Sequence, residues 1–165
     1  MTPDLARLMA TYNSWQNASL YDAAETLTPA DRLADRGAFF GSIQGTLNHL
    51  LWGDQIWMSR FDGWEKPAVS IAGSTEICAD WSDLRAARIR VDAGIAAWAA
   101  GLTEERLAQD LTWFSGAAGR ELTRPMWQLV AHLFNHQTHH RGQAHALLTA
   151  AGARPADTDL MLLTP

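Results

Sequence analysis

The sequence has little cysteine, an excess of acidic over basic charge and no long apolar run, and each feature excludes a class of protein. One cysteine, Cys78, rules out a disulfide within the chain and fits a reducing compartment. Thirteen basic against 18 acidic residues give a net charge of −5, which argues against nucleic-acid binding through phosphate neutralisation. No apolar stretch approaches membrane-spanning length, and the start lacks a signal-peptide pattern. We therefore expect a cytoplasmic protein that binds neither nucleic acid nor a membrane.

Apolar and aromatic residues, in contrast, are plentiful. Hydrophobic residues make up 47% of the 165 positions, and eight of them are tryptophan. Such a composition argues against disorder of the whole chain, because enough apolar surface is available to form a core. The length suggests one domain, spanning residues 1–165.

Four long segments with apolar residues at helical spacing predict an all-α protein. Thr2, Ser42 and Ser82 are suitable N-caps for three of them, and Pro125 begins the fourth. The predicted helices cover residues 3 to about 25, 42 to about 60, 82–101 and 125–151. Four long helices with one loop-rich crossing predict a four-helix bundle.

The connections between these helices carry weaker signals. Thr28 and Pro29 indicate a short extra helical turn, and residues 63–80 resemble a loop because glycine, proline and serine recur there. Around residues 110–123 the helical pattern breaks at two glycines, which indicates a hairpin or a loop. The tail, residues 153–165, has no helical period.

Five of the six histidines fall within fourteen residues of the last predicted helix. At about 100° per residue, His136 and His140 lie inside the apolar stripe that should face the core. His132 and His139 lie at the edge of that stripe, and His145 lies on the opposite side. Histidine is the commonest metal ligand, and residues four apart lie one above the other on a helix.

Two core-facing histidines one turn apart need partners, because a buried polar group without a hydrogen bond costs about 1–3 kcal/mol. Each ring either hydrogen-bonds separately in the core or shares a metal ion with the other. A catalytic zinc site needs a third protein ligand. The only histidine outside the cluster is His49, in a helix that is apolar on nearly every face. Asp54, five residues later, either orients a ligand histidine, pairs with an arginine such as Arg141, or caps a neighbouring backbone.

Three segments in combination resemble the DinB family of small bacterial proteins, which belongs to the DinB/YfiT-like superfamily of candidate metalloenzymes. They are residues 12–17, residues 39–54 with the run Leu-Asn-His-Leu-Leu-Trp-Gly-Asp, and residues 132–143 with the ending His-His-Arg-Gly-Gln. The resemblance spans nearly the whole chain. It implies an up-down-down-up four-helix bundle, often a homodimer.

The resemblance also implies a divalent metal ion, nickel or zinc, held by His49, His136 and His140. Relatives include hydrolases and transferases or isomerases that use a low-molecular-weight thiol. We therefore expect a metal-dependent thiol transferase or hydrolase acting on a small molecule. The alternative is a stress-response protein that binds a metal or a ligand without turnover. The side chains expected to shape the pocket or support the ligands are Tyr12, Asn13, Trp15, Trp52 and Asp54.

Overall fold

The computed structural model describes residues 1–116 and 118–163, and most of them are helical. The hydrophobic periodicity predicted the four long helices correctly, with ends within two residues of those expected. They are α1 (Pro3–Glu25), α3 (Ile43–Phe61), α4 (Trp81–Ala100) and α6 (Met126–Ala150).

Side-chain caps define where three of the four long helices begin. The hydroxyl of Thr2 accepts a hydrogen bond from the backbone N–H of Leu5 at 3.2 Å, and that of Ser42 accepts from Gly45 at 2.9 Å, so both predicted caps are confirmed. The predicted cap of α4 was wrong. Asp80 occupies that position, and its carboxylate accepts from the backbone N–H of Ser82 at 2.8 Å. Ser82 lies inside the first turn and donates its hydroxyl to the same carboxylate.

Short elements connect the long helices, and two of them correct the sequence-based expectations. The five-residue helix α5 was not expected, because it is too short to show a helical period. A two-stranded antiparallel sheet lies in the crossing before α6, where the sequence indicated a hairpin or a loop, so the chain is mostly helical with a small sheet rather than entirely α-helical. The short elements are α2 (Pro29–Leu33), a 3₁₀ helix (Ile71–Glu76), α5 (Glu104–Ala108), β1 (Asp110–Ser115), β2 (Arg120–Pro125) and a second 3₁₀ helix (Leu160–Leu162).

The hairpin pairs Asp110 with Pro125 at its open end and Ser115 with Arg120 next to the turn. The hydroxyls of Thr112 and Thr123 lie 2.7 Å apart across the two strands. Pro125 therefore ends the sheet at the residue before α6 begins, which carries the chain directly from the crossing into the histidine-rich helix.

Helix α3 lies at the centre of the packing. It contacts α4, α6 and the first 3₁₀ helix, while α1 contacts α4 and α6. Fifteen of the 19 residues of α3 are buried, including His49 and Asp54. A helix packed on several sides cannot present a single apolar stripe, which is why its sequence is apolar on nearly every face.

Within the described residues, no helix combines the length and the apolar character needed to cross a bilayer.

Candidate metal centre

Three histidine rings from two helices converge inside the protein. His49 lies in the middle of α3, and His136 and His140 lie one turn apart on α6. One ring nitrogen from each histidine can be chosen so that all three atoms lie within 4.8 Å of one another. The ring centroids of His136 and His140 are 4.4 Å apart, and that of His49 is 4.8 Å from His140.

A glycine on α3 allows α6 to approach closely at this point. A Cβ atom added at Gly53 would lie 3.1 Å from Cε1 of His136 and 3.3 Å from the side-chain nitrogen of Gln137. The buried Gln137 donates that nitrogen to the backbone carbonyl of Leu50 at 3.1 Å. The absent side chain and this interhelical hydrogen bond together position His136 against α3.

A serine from the first 3₁₀ helix orients His49. The hydroxyl of Ser74, which is fully buried, lies 2.9 Å from Nδ1 of His49. The other ring nitrogen, Nε2, is buried and has no hydrogen-bond partner among the described residues. With Nδ1 bonded to Ser74, Nε2 is the nitrogen that His49 offers to the centre.

A glutamine on α6 orients His140 in the same way. Oε1 of Gln143 lies 2.8 Å from Nδ1 of His140. Because an amide oxygen only accepts hydrogen bonds, Nδ1 carries the proton and Nε2 keeps its lone pair. In His136, Nδ1 is buried without a partner in the described part of the chain. Two of the three histidines therefore have a buried nitrogen that the protein leaves unsatisfied.

Burial keeps these rings neutral. Desolvation, with the neighbouring His140 ring as a second cause, lowers the pKa of His49 to about 4. Desolvation and the surrounding histidines lower the pKa of His136 to about 3. The pKa of His140 is also lowered by burial, against a smaller opposing effect from Gln143. A neutral imidazole is the form of histidine that ligates a metal ion.

Two aromatic side chains line the centre. The ring of Phe40 stacks on His49 with 3.8 Å between centroids and lies 5.1 Å from His140. Trp52 stacks on His49 at 5.9 Å, and its indole N–H donates to the carbonyl of Val69 at 3.0 Å. These rings surround the histidines with apolar surface, which favours their neutral form.

Asp54 does not contact the histidines. Its carboxylate pairs with Arg88 of α4 at 2.7 Å, and Arg88 also pairs with Asp92 at 2.8 Å. Asn17 of α1 donates to Asp92 at 2.9 Å. Burial raises the pKa of Asp54 to about 6, although Arg88 opposes the rise. Of the three roles that the sequence left open for Asp54, the structure shows pairing with an arginine. The partner is Arg88 rather than Arg141, and the pair joins α3 to α4.

The three α1 residues expected at the pocket are not among the contacts of the histidine rings. The Tyr12 hydroxyl donates to the carbonyl of Thr158 at 2.6 Å, and its ring packs edge-on against Trp15. Asn13 is buried and accepts a hydrogen bond from the guanidinium of Arg141. Of the five expected pocket residues, the structure brings Trp52 to the histidines.

The other histidines of the cluster do not join the three. His132 is exposed and packs edge-on against Trp57, with 5.0 Å between centroids. His139 is exposed, and its Nε2 lies 3.3 Å from the amide nitrogen of Gln143. His145 is half-buried and lines a cavity beside α1.

Four residues at the centre were not predicted as site residues. Phe40 and Gln143 lie in the segments that carry the resemblance, and Gly53 is a mid-helix glycine that nothing in the helical pattern requires. Ser74 had no local signal, because it lies in a segment interpreted as a loop and reaches His49 only through the tertiary fold.

The sequence matches the model of a known protein family. The model of the DinB family matches residues 1–164, which is essentially the whole chain. No curated protein matches the sequence.

Proposed function

The chain belongs to the DinB family, and we propose that it binds a divalent metal ion through His49, His136 and His140. The observation that carries this proposal is the set of three converging, neutral imidazoles. Two of them keep a buried nitrogen without a hydrogen-bond partner among the described residues. Buried polar atoms are normally paired, so a shared ligand explains both of these nitrogens.

The donor set fits nickel or zinc, because both ions accept imidazole nitrogen readily. Two nitrogens bound to one ion at about 2.1 Å can be at most about 4.2 Å apart. The three nitrogens lie within 4.8 Å of one another, which is close to the span that one ion can bridge. Three protein ligands leave coordination positions open, as in catalytic sites; structural zinc sites usually have four protein ligands.

We propose that the protein is a metal-dependent enzyme acting on a small molecule, either a thiol-dependent transferase or a hydrolase. An ion with an open position acts as a Lewis acid and favours the deprotonated form of a bound water or thiol. The chain itself holds the three rings neutral, orients His49 through Ser74 and favours the Nδ1-protonated tautomer of His140 through Gln143. Phe40 and Trp52 keep the surroundings apolar, which strengthens electrostatic effects there.

A second candidate function is binding of a metal or ligand without turnover, as in a stress-response protein. The positions of the cavities, one of which would have to hold a substrate, favour this second function. Among the cavities in the described part of the chain are four of about 350 to 630 Å³ that none of the three histidines lines, although Phe40 borders one of them. A protein that only sequesters an ion needs no substrate cavity beside it.

Metal titration of purified, chelator-stripped protein tests the proposed site. Zinc and nickel are each titrated against a competing chelator in the wild type and in His49→Ala, His136→Ala and His140→Ala. We expect about one ion per wild-type chain and a sharp loss of occupancy in each variant. His145→Ala, on the same helix but outside the three, is the matched control. Unchanged metal content in His136→Ala would show the assignment to be wrong.

A screen for thiol conjugation and for hydrolysis, on metal-loaded and stripped protein, separates the two candidate functions. Activity that disappears on stripping while the fold persists supports the enzyme. A large loss of stability on stripping, with no turnover in either screen, supports the binding protein.

We further propose that the long helices form an up-down-down-up bundle and that two chains associate as a homodimer. The packing of α1 and of α3 against both α4 and α6 supports the bundle. The dimer is implied by the family resemblance, and light scattering coupled to size-exclusion chromatography measures it directly.

A further inference from the structure

Gly142 lies inside α6 where no neighbour requires a glycine. A Cβ atom added at Gly142 would have no heavy atom within 4 Å. At Gly53, in contrast, an added Cβ would meet side chains of α6. Glycine within a helix costs about 1 kcal/mol relative to alanine. The space beside Gly142 is a cavity of about 350 Å³ between α1, α6 and the tail at Thr158. Because Gly142 has no side chain, the cavity stays open at this point. Close packing of helices does not require the glycine.

Arg141 lines the same cavity and has unusual partners for a buried arginine. Its guanidinium donates to the amide oxygen of Asn13 and, at 3.1 Å, to the hydroxyl of Thr138, both of which are neutral. Among the described residues, no carboxylate lies within 4.0 Å of it. Arg88, also buried, has two carboxylate partners. Asp54 and Asp92 act on Arg141 only beyond hydrogen-bonding distance, where they favour its charged form and so oppose the lowering of its pKa by burial. A buried cation on a cavity wall without a directly bonded carboxylate is complementary to an anionic ligand.

The rest of the lining suits a small amphipathic ligand. Gln16 and His145 add polar groups, and Leu20 and Ala146 add apolar surface. The tail is held beside the cavity by two hydrogen bonds to backbone carbonyls, from the Tyr12 hydroxyl to Thr158 at 2.6 Å and from Gln16 to Asp157 at 2.9 Å. Six of the nine lining residues have polar side chains, so the cavity is more polar than most ligand sites, and its volume lies at the lower end of their range.

We propose that this cavity is a second binding site, distinct from the three histidines, for a small molecule bearing one carboxylate. The planar guanidinium of Arg141 matches a carboxylate in shape and charge, and Thr138 lies beside it as a further hydrogen-bonding group. Arg141 carries a single positive charge, and Asp54 and Asp92 already offset part of it, which favours a monocarboxylate over a doubly charged phosphate. Leu20 and Ala146 accommodate the apolar part of the ligand.

Binding of acetate, benzoate and octanoate to the full chain tests this site, with acetamide, benzamide and octanamide as neutral counterparts. Two-dimensional NMR titration reports the backbone amides of α6 and the Nε–H of Arg141. We expect saturable shifts with at least one carboxylate and at least tenfold weaker binding of its amide. Equal shifts with acid and amide, or no saturable shift with any of the three acids, would overturn the proposal.

Two variants that fill the cavity complete the test. Gly142→Leu places a side chain in the open space, and Ala146→Leu does so from one turn further along α6. Each is expected to weaken carboxylate binding at least tenfold, whereas Thr149→Leu, an exposed change outside the cavity on the same helix, leaves it unchanged. Wild-type affinity in both cavity variants would refute the site. Metal content is measured in the same samples, so failure of the carboxylate site is distinguishable from failure of the metal site.

Discussion

At the scale of single residues, the hydrogen bond between Nδ1 of His49 and the Ser74 hydroxyl leaves Nε2 as the nitrogen that His49 presents, with Nδ1–H as the donor. We predict that Ser74→Ala weakens metal binding about 10-fold or more, because residues that orient a ligand histidine typically contribute 10–100-fold to affinity. Without the hydroxyl, Nδ1 of this buried ring loses its partner, and the tautomer with a free Nε2 is no longer favoured. Competition against a chelator measures the change.

Ser59→Ala is the matched control for this change. Ser59 is a half-buried serine on α3, and its hydroxyl donates to the carbonyl of Ile56 within the same helix. Its removal should leave metal affinity unchanged. If Ser59→Ala and Ser74→Ala lower the affinity equally, the serine at the centre has no orienting role.

The lowered histidine pKa values predict how metal binding depends on pH. Protons compete with a metal ion only below the pKa of the folded protein, and burial lowers that pKa to about 4 for His49 and about 3 for His136. Between pH 7.5 and pH 5, protonation of His49 and His136 should therefore cost little metal affinity, and His140, whose pKa burial also lowers, should cost less than an ordinary histidine. A chelator calibrated at each pH measures the affinity. Histidines with their ordinary pKa near 6.5 would lose about tenfold in affinity per pH unit for each ligand below that value. Such a loss between pH 6.5 and 5 would contradict the burial argument.

The sequence predicted part of this centre. Residues related by their spacing within one helix could be found, whereas residues brought together by packing between elements could not. The helical period placed His136 and His140 on the core-facing stripe, because their spacing is local to one helix. The approach of His49 to the other two histidines depends on how α3 packs against α6. The apolar pattern of α3 therefore did not show whether His49 is a ligand, and only the family resemblance implied it. Ser74 reaches His49 across 25 residues of chain, and no periodic pattern carries that information.

At the scale of elements, the ion pairs of Arg88 join α3 to α4. We predict that Arg88→Met destabilises the protein by about 3–5 kcal/mol, because two buried carboxylates lose their cation. The measurement is urea unfolding at pH 7. Arg85→Met, which removes a more exposed ion pair with Asp22 from the same helix, should cost about 1 kcal/mol or less. Equal losses in the two variants would show that the buried pairs contribute no more than surface ones.

Element boundaries were predictable where a local cap defines them. Thr2 and Ser42 satisfy the first backbone N–H groups of α1 and α3, and both are visible in sequence. At α4 two capping residues stand close together, and Asp80 rather than Ser82 takes the role because it precedes Trp81, the first helical residue. The short helix α5 has a capping threonine, Thr103, but its five residues are too few for a period.

At the scale of the whole molecule, a metal ion would connect helices that are far apart in sequence. His49 and His136 are separated by about half of the chain. The core of the protein is formed by apolar side chains from all four long helices. We expect the metal-free protein to remain folded, because its core does not depend on the ion and its histidine rings are neutral. The ion should then act as a ligand that stabilises the native state without creating it.

This expectation gives a quantitative prediction for thermal unfolding. Free metal at about 100 times its dissociation constant adds about 2.7 kcal/mol to the native state, which for a chain of this size raises the melting temperature by roughly 5–10 °C. The melting temperatures of stripped and zinc-loaded protein, followed by circular dichroism, measure the shift. His145→Ala should keep the shift and His136→Ala should lose it, since only the latter removes a proposed ligand. A shift of equal size in both variants would mean that the ion stabilises the protein from another site.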